Sequence, residues 1–107
     1  MKTKKLAKLK KRVNRGMELL DKENPEWDQK INLQTLNTST LLSCVLGQLY
    51  GNYVEGCRQL NLNSGITQGG TEPAKKYGYS GGMYCGPKVH KKLTEIWTEK
   101  ILERRKS

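Results

Sequence analysis

The stretch NTSTLLSCVLGQLYG, residues 37–51, decides the predicted fold because it contains the most apolar run of the chain, Leu41 to Tyr50. The polar cluster at 37–40 is typical of a helix start, since its side chains can accept hydrogen bonds from unpaired backbone N–H groups. The apolar residues that follow would lie on more than one face of a helix, as in a buried element. The stretch therefore predicts a buried central helix that ends near Gly51.

The two ends of the chain show the spacing of amphipathic helices. Over about 3–24 and 87–105, apolar residues recur every three or four positions, which is helical spacing. The residues predicted to face the core are Leu6, Leu9, Val13, Met17, Leu20, Val89, Leu93, Ile96, Trp97 and Ile101. Lys91 and Glu95 are predicted to pair in the last helix. The stripe of the first helix is narrow, so it suits a homodimer as well as packing on its own core.

Shorter helices are predicted between these two. Asn24-Pro25 is predicted to cap and start a helical turn, because the missing N–H of proline would be unpaired there in any case. A short helix is predicted over 53–60, and a second one is predicted to be capped by Thr71, to run to Tyr77 and to be closed by Gly78. The segments between them are rich in Gly, Asn and Ser, which predicts loops.

These elements predict a mainly all-α fold, a compact single domain over residues 1–107 with four to six helices. A small hairpin within 61–86 stays open as an addition to the helices. Residues 1–12 are predicted to be a basic N-terminal extension that frays, since like charges four positions apart, such as Lys4 and Lys8, destabilise an isolated helix.

The charge of the chain is strongly positive and uneven. Its 107 residues carry a net charge of +10, from 20 Lys and Arg against 10 Asp and Glu. Eight bases and no acid lie in residues 1–15, and nine bases with three acids lie in residues 73–107. Such a balance favours attraction to polyanions. No apolar run approaches the ~20 residues of a bilayer helix, and no signal-peptide core follows the basic start, so we expect a cytoplasmic protein with no membrane partner.

The basic face of the first helix is the first candidate binding site. Clustered Lys and Arg on one helix face are typical of proteins that bind the phosphate backbone, because each neutralised phosphate releases counterions. No pattern for reading base edges is evident, so the contact would be weakly sequence-specific. A solvated helix face without a partner is the alternative. The candidate nucleic-acid-binding residues are Lys4, Lys5, Lys8, Lys11, Arg12 and Arg15.

The Gly- and Tyr-rich segment between two lysine clusters is the second candidate. Glycines allow close approach of a ligand, tyrosines can stack on a base, and a helix start attracts anions through its unpaired N–H groups. The Walker pattern of a P-loop is absent. In the alternative interpretation, the tyrosines pack on the core of an ordinary loop. The candidate phosphate-binding and ligand-binding residues are Lys75, Lys76, Tyr79, Tyr84, Lys88, His90, Lys91 and Lys92.

Four residues are of types that can bind a metal ion or act as a nucleophile or base: Cys44, Cys57, Cys85 and His90. Their spacing contains no C-x2-C pair, and two of the cysteines fall on apolar helix faces, where thiols behave as small hydrophobic groups. A Cys–His dyad would require a spatial contact that sequence does not show. The sequence therefore predicts free thiols, no metal, no cofactor and no catalytic residue, and hence a protein that is not an enzyme.

A pattern of short motifs extends over residues 15–101. It consists of Arg15-Gly16, Leu19-Leu20-Asp21, Pro25-x-Trp27, Ile31-Asn32-Leu33, Leu36, Cys44-Val45-Leu46-Gly47-Gln48-Leu49-Tyr50-Gly51-x-Tyr53, Leu60, Tyr77-Gly78-Tyr79 and Leu93-Thr94-x-Ile96-Trp97. The pattern resembles a family of small uncharacterised proteins of bacteriophages and actinobacteria with a CVLGQLYG core motif. The resemblance carries no activity with it, but it implies a phage-type accessory protein that acts on host machinery or host defence by binding.

Charge and resemblance together predict a non-enzymatic, basic accessory protein in the cytoplasm of a host cell. Its ligand is predicted to be phosphate-rich, either nucleic acid or a signalling nucleotide that the protein sequesters. The alternative is a protein-binding inhibitor of a host defence or nucleic-acid enzyme, in which the same lysines steer association with an acidic host protein. Whether residues 44–51 serve core packing or a pocket is left open.

Overall fold

The computed structural model describes residues 3–62, 71–80 and 86–106. Every regular element in these ranges is a helix, which confirms the all-α prediction with four to six helices. The helices are α1 (Thr3–Glu23), α2 (Trp27–Lys30), α3 (Val45–Tyr50), α4 (Tyr53–Gln59), α5 (Thr71–Lys76) and α6 (Gly86–Lys106). The described part of the predicted hairpin segment, 61–62, 71–80 and 86, contains no strand, and the remainder of 61–86 lies outside the described residues.

Two 21-residue helices, α1 and α6, form the frame of the fold. Each buries the apolar stripe predicted for it, apart from the half-buried Leu6. Gly16 lies against the Trp97 ring, and the Arg104 guanidinium binds the Asp21 carboxylate. The later residue of α1, Asp21, thus contacts the later residue of α6, Arg104. The two helices therefore run parallel, and their N-termini lie at the same end of the molecule. The stripe of α1 is used within its own chain, and a homodimer stays a prediction.

Aromatic rings from distant parts of the chain meet between α1 and α6. The Trp97 ring makes an edge-to-face contact with Trp27, at 5.7 Å between centroids, and stacks on Tyr79 at 5.8 Å. Both distances are usual for aromatic pairs. Trp97 Nε1 donates to the Gly78 carbonyl at 2.8 Å, and Trp27 Nε1 donates to Asp21 at 2.9 Å. The polar atoms of both buried indoles are therefore paired, as buried polar groups require.

The prediction of a central helix was wrong over residues 41–44. α3 begins only after Cys44, whose thiol sulfur accepts a hydrogen bond from the Gly47 N–H at 3.3 Å and caps the helix. The two leucines expected inside that helix, Leu41 and Leu42, are 60% and 68% exposed. The apolar run therefore divides into a surface turn and a six-residue helix whose first three residues are buried.

The polar cluster at 37–40 forms turns instead of starting a helix. Asn37 Oδ1 accepts a hydrogen bond from the Ser39 N–H at 3.0 Å, and local bonds of this kind compete with helix formation. Thr38 is buried, and its Oγ1 donates to the His90 carbonyl at 2.8 Å. The cluster thus fastens the turn to α6.

The start predicted for α2 at Asn24-Pro25 was wrong by two positions. These residues form a turn in which the Trp27 N–H donates to the Asn24 carbonyl at 3.0 Å. Glu26 has a left-handed backbone, φ 68°, and precedes the first helical residue. At the other end, the Arg105 guanidinium donates to the Asp28 carbonyl at 2.8 and 2.9 Å. An arginine of α6 thus satisfies a carbonyl that so short a helix leaves unpaired.

The short helices α4 and α5 confirm their predictions. Asn52 Oδ1 caps α4 by accepting a hydrogen bond from the Glu55 N–H at 2.8 Å. Gly78, with φ +73°, follows the end of α5, and the Tyr79 N–H donates back to the Ala74 carbonyl at 3.0 Å. A left-handed glycine closes a helix in this way because it has no Cβ to clash.

Candidate functional site

The outward face of α1 is a straight row of positive charge. At 3.6 residues per turn, steps of four, three and four positions return to nearly the same side of a helix. The residues of this row are Lys4, Lys8, Lys11 and Arg15, all exposed. The row lies opposite the buried stripe and extends about 16 Å at 1.5 Å per residue.

α5 extends this charge to one side of α1. The chain leaves α5 through Gly78, where a Cβ would lie 2.8 Å from the Val13 nitrogen and 2.9 Å from the Arg12 carbonyl carbon. Only glycine allows the two backbones to come so close. Lys76 and Lys75 lie two and three positions before this contact, so α5 holds them on the side of α1 where Arg12 lies.

We call eight of the basic residues of these two helices the α1–α5 basic surface, which comprises Lys4, Lys5, Lys8, Lys11, Arg12, Arg15, Lys75 and Lys76. None of these eight side chains forms an ion pair or hydrogen bond with a described residue. The ion pairs between described residues lie elsewhere and are Glu55–Arg58, Lys92–Glu95 and Asp21–Arg104. The first turn of α1 contains no acid, so its lysines oppose the positive end of the helix dipole. The surface therefore carries positive charge that a bound anion would stabilise.

The lysines of α6 belong to a different face of the molecule. Lys88 lies nine positions before Trp97, about two and a half turns, so it faces away from the side of α6 that contacts α1. Lys91 and Lys92 lie on the same outer side. Lys92 pairs with Glu95 at 3.3 Å, so the predicted Lys91–Glu95 pair was wrong in its partner. The two basic regions share one end of the molecule but face different directions.

His90 does not extend the lysine cluster of α6. It is half-buried one turn before Thr94, on the side of α6 that holds Thr38. Burial lowers the pKa of His90 below its usual value, so the imidazole is neutral at pH 7 and adds no positive charge. The phosphate-binding role of His90 stays a prediction.

Tyr79 is a core residue, as the alternative interpretation of its loop expected. The side chain is 1% exposed, and its hydroxyl donates to the Gly16 carbonyl at 2.8 Å. Burial raises the pKa of Tyr79. Its ring lies between those of Tyr77 and Trp97, so neither face is free for a base and the prediction of a ligand contact was wrong. Tyr84, the other candidate tyrosine, lies outside the described residues.

Tyr77 occupies the outer place in this stack, a position that the sequence analysis did not select. It is half-buried, and its ring centroid lies 6.2 Å from that of Tyr79. Two tyrosines around one glycine look alike in sequence. The left-handed turn at Gly78 separates them, since it places one ring in the core and the other at the edge of the α1–α5 basic surface.

Side chains of the CVLGQLYG motif hold neighbouring loops together. Gln48 Oε1 accepts a hydrogen bond from the Asn32 N–H at 2.6 Å, and its Nε2 donates to the Asn32 and Ser43 carbonyls. A Cβ at Gly47 would lie 2.7 Å from the Leu42 carbonyl carbon. Because each of these contacts is made within the chain, the geometry favours core packing over a pocket for residues 44–51.

The described cysteines, Cys44 and Cys57, are buried free thiols. Burial raises the pKa of each, which disfavours the thiolate that attacks electrophiles and binds metals. Within residues 3–62, 71–80 and 86–106, no three His, Cys, Asp or Glu side chains are grouped for a metal ion. Cys85 lies outside the described residues.

The chain was compared with protein families, curated proteins and solved structures. No family model, curated protein or solved structure matches the chain. The resemblance to small phage and actinobacterial proteins therefore stays a prediction. Among the helices that the structure describes, none has the length and apolar character needed to cross a bilayer.

Proposed function

We propose that the protein binds nucleic acid through the α1–α5 basic surface and contacts the phosphate backbone rather than base edges. The observation that carries this proposal is a set of adjoining lysines and arginines with no carboxylate paired to any of them among the described residues. The exposed row on α1, about 16 Å long, matches about five phosphates of one strand at 3.4 Å per nucleotide. A row of that length suits a polyanion better than a small ligand.

A signalling nucleotide has less support as the ligand. Among the described residues predicted for such a pocket, Tyr79 is in the core and Lys88 faces away from the side of α6 that contacts α1. The α1–α5 basic surface, by contrast, joins residues of two helices through the close approach at Gly78.

The cost of these charges to the free protein also supports a binding role. Like charges at Lys4 and Lys8, and again at Lys8 and Arg12, destabilise α1. The positive end of the helix dipole adds to that effect. A phosphate backbone bound along the row would offset both the repulsion between like charges and the unfavourable interaction with the helix dipole.

Salt dependence of binding tests the proposal. By fluorescence anisotropy, the logarithm of the association constant for a labelled oligonucleotide is expected to fall linearly with log[salt], with a slope of about −0.9 per duplex phosphate contacted and about −0.7 per single-strand phosphate. The variant K8Q/K11Q/R15Q removes three charges from the row. Its slope is expected to be smaller in magnitude by about two to three.

The matched control is K30Q/K100Q/K106Q, which removes the same charge from outside the α1–α5 basic surface. Its slope and affinity are expected to stay close to those of the wild type. An equal loss in both variants would show that net charge alone drives binding. No wild-type binding at about 50 mM salt, where phosphate contacts are strong, would overturn the proposal.

A protein-binding inhibitor is the second candidate, and an exposed apolar cluster favours it. Leu41, Leu42 and Val54 are 60%, 68% and 49% exposed, and the Tyr53 N–H donates to the Leu41 carbonyl at 2.8 Å, which holds them side by side. Exposed apolar clusters often contact proteins. Stoichiometric retention of one host protein after nuclease treatment, lost in L42S but kept in K8Q/K11Q/R15Q, would favour this candidate over nucleic-acid binding.

A further inference from the structure

Three aromatic rings form a stack that begins in the core and ends at the surface. Trp97 and Tyr79 are fully buried, with ring planes 17° apart. Tyr77 continues the stack, with its ring plane 21° from that of Tyr79. Among the described residues Tyr79 is the one ring partner of Tyr77, so the half-buried ring is the outermost of the three.

Hydrogen bonds hold the inner two rings in place. The Tyr79 hydroxyl donates to the Gly16 carbonyl, and Trp97 Nε1 donates to the Gly78 carbonyl, both at 2.8 Å. The outer ring therefore rests on a support that α1 and α6 fix from both sides. A surface that is already ordered loses little conformational entropy when a planar group stacks on it.

Basic residues adjoin the outer ring of the stack along the chain and across the contact with α1. Lys76 precedes Tyr77 in the chain, and Gly78 follows it at the contact with Arg12. Proteins that bind single strands combine these two features, since an aromatic face stacks a base while Lys or Arg binds the adjoining phosphate.

We infer that Tyr77 is a base-stacking residue and that the preferred ligand of the α1–α5 basic surface is single-stranded nucleic acid. Unpaired bases expose both faces to an aromatic ring, whereas the bases of a duplex stack on one another and must be extruded first. This inference rests on the proposed function, because the lysines and arginines supply the phosphate contacts that bring the strand to the ring.

The variant Y77L tests the inference, because leucine keeps apolar contact with Tyr79 but removes the aromatic face. Affinity for an oligothymidine is expected to fall about 5- to 150-fold, the range that corresponds to one stacked base. Affinity for a duplex of equal length is expected to stay within about twofold, since duplex binding depends on phosphate contacts. Y77F keeps the ring and is expected to bind both ligands like the wild type.

Three outcomes would overturn the inference. Unchanged oligothymidine affinity in Y77L would leave nucleic-acid binding in place and remove the stacking role. Equal losses for single strand and duplex, or an equal loss in Y77F, would show that the side chain acts on the fold or through its hydroxyl. If the wild type binds neither ligand, the proposed function itself fails.

A measurement on the unmutated protein covers the case in which Y77L does not fold. An oligonucleotide carrying 2-aminopurine among thymines is titrated with wild-type protein, and stacking on tyrosine is expected to change the emission of the probe on saturation. The same probe placed in a duplex is expected to show no such change. Identical responses of the two probes would contradict a stacking site.

Discussion

Alanine at position 16 would have no room. A Cβ on Gly16 would meet the Tyr77 carbonyl oxygen and lie 3.1 Å from atoms of both Trp97 and Tyr79. The carbonyl of the same glycine accepts the Tyr79 hydroxyl. Because the nearest atom belongs to the backbone, it cannot turn aside as a flexible side chain would. Gly16 thus sets the distance between α1 and the ring stack.

We predict that G16A lowers the free energy of unfolding by about 2 kcal/mol, within the usual range for an added methyl group in a packed core. Helix propensity alone would give the opposite sign, since alanine is favoured over glycine by about 1 kcal/mol in a helix interior. Urea denaturation measures the difference. N14A, at an exposed position of the same helix, is the control, and a G16A variant as stable as the wild type would contradict the packing described.

At the scale of elements, periodicity was enough to predict α1 and α6, because one face of each meets one core. It failed over residues 41–44, where local hydrogen bonds of Asn37 and the cap at Cys44 decide the helix start. The residues of the α1–α5 basic surface could be predicted from the sequence, but their arrangement in space could not. These residues stand out by charge, but their meeting depends on the backbone approach at Gly78, a tertiary contact that spacing does not show.

A clasp of three side chains joins α1, α2 and α6. Arg104 donates to both carboxylate oxygens of Asp21 at 2.7 and 2.6 Å, and its guanidinium carbon lies 5.4 Å from the centroid of the Trp27 ring. Trp27 Nε1 donates to the same carboxylate. Bidentate pairing of this kind is directional as well as charged. The clasp therefore holds the C-terminal ends of α1 and α6 together, at the end of the molecule away from the N-terminus of α1.

The clasp predicts an acid dependence of stability. Hydrogen bonds from Arg104, and to a lesser degree from Trp27, hold the pKa of Asp21 below its usual value. A carboxylate with a lowered folded pKa stabilises the fold above its unfolded pKa, about 3.9, and loses that contribution as the pH falls through the folded value. We expect the free energy of unfolding to fall from about pH 5 downwards, and D21N to lose part of this pH dependence.

R104Q serves as the second arm of the acid measurement. It leaves the carboxylate in place but removes its main hydrogen-bond donor, so most of the pH dependence that D21N loses is expected to disappear here too. Urea titrations at several pH values give the comparison. A steep acid dependence retained in both variants would assign the effect to other carboxylates.

At the scale of the whole molecule, positive charge outweighs negative charge and is concentrated at the two ends of the chain. The net charge is +10, and the three ion pairs of the described residues leave the α1–α5 basic surface uncompensated. A compact state with such a balance is destabilised by self-repulsion. Salt is therefore expected to stabilise the free protein and to weaken the proposed complex with a polyanion.

We predict that the melting temperature of the free protein rises as salt is raised from about 20 to about 200 mM, because the Debye length shortens and screens the repulsion. K8Q/K11Q/R15Q is expected to melt higher than the wild type at low salt and to gain less from added salt. Circular dichroism measures both. A melting temperature that falls with salt in the wild type would show that attractive pairs outweigh the repulsion.

The parallel packing of α1 against α6 has a consequence for folding kinetics. Asp21 and Arg104 are 83 positions apart in the chain, so the frame of this helical protein depends on closing a long loop, unlike a bundle of consecutive helix hairpins. Contacts of high sequence separation slow folding, because loop-closure entropy is lost before the contact forms. The support on which Tyr77 rests is therefore completed only when the most distant parts of the chain have met.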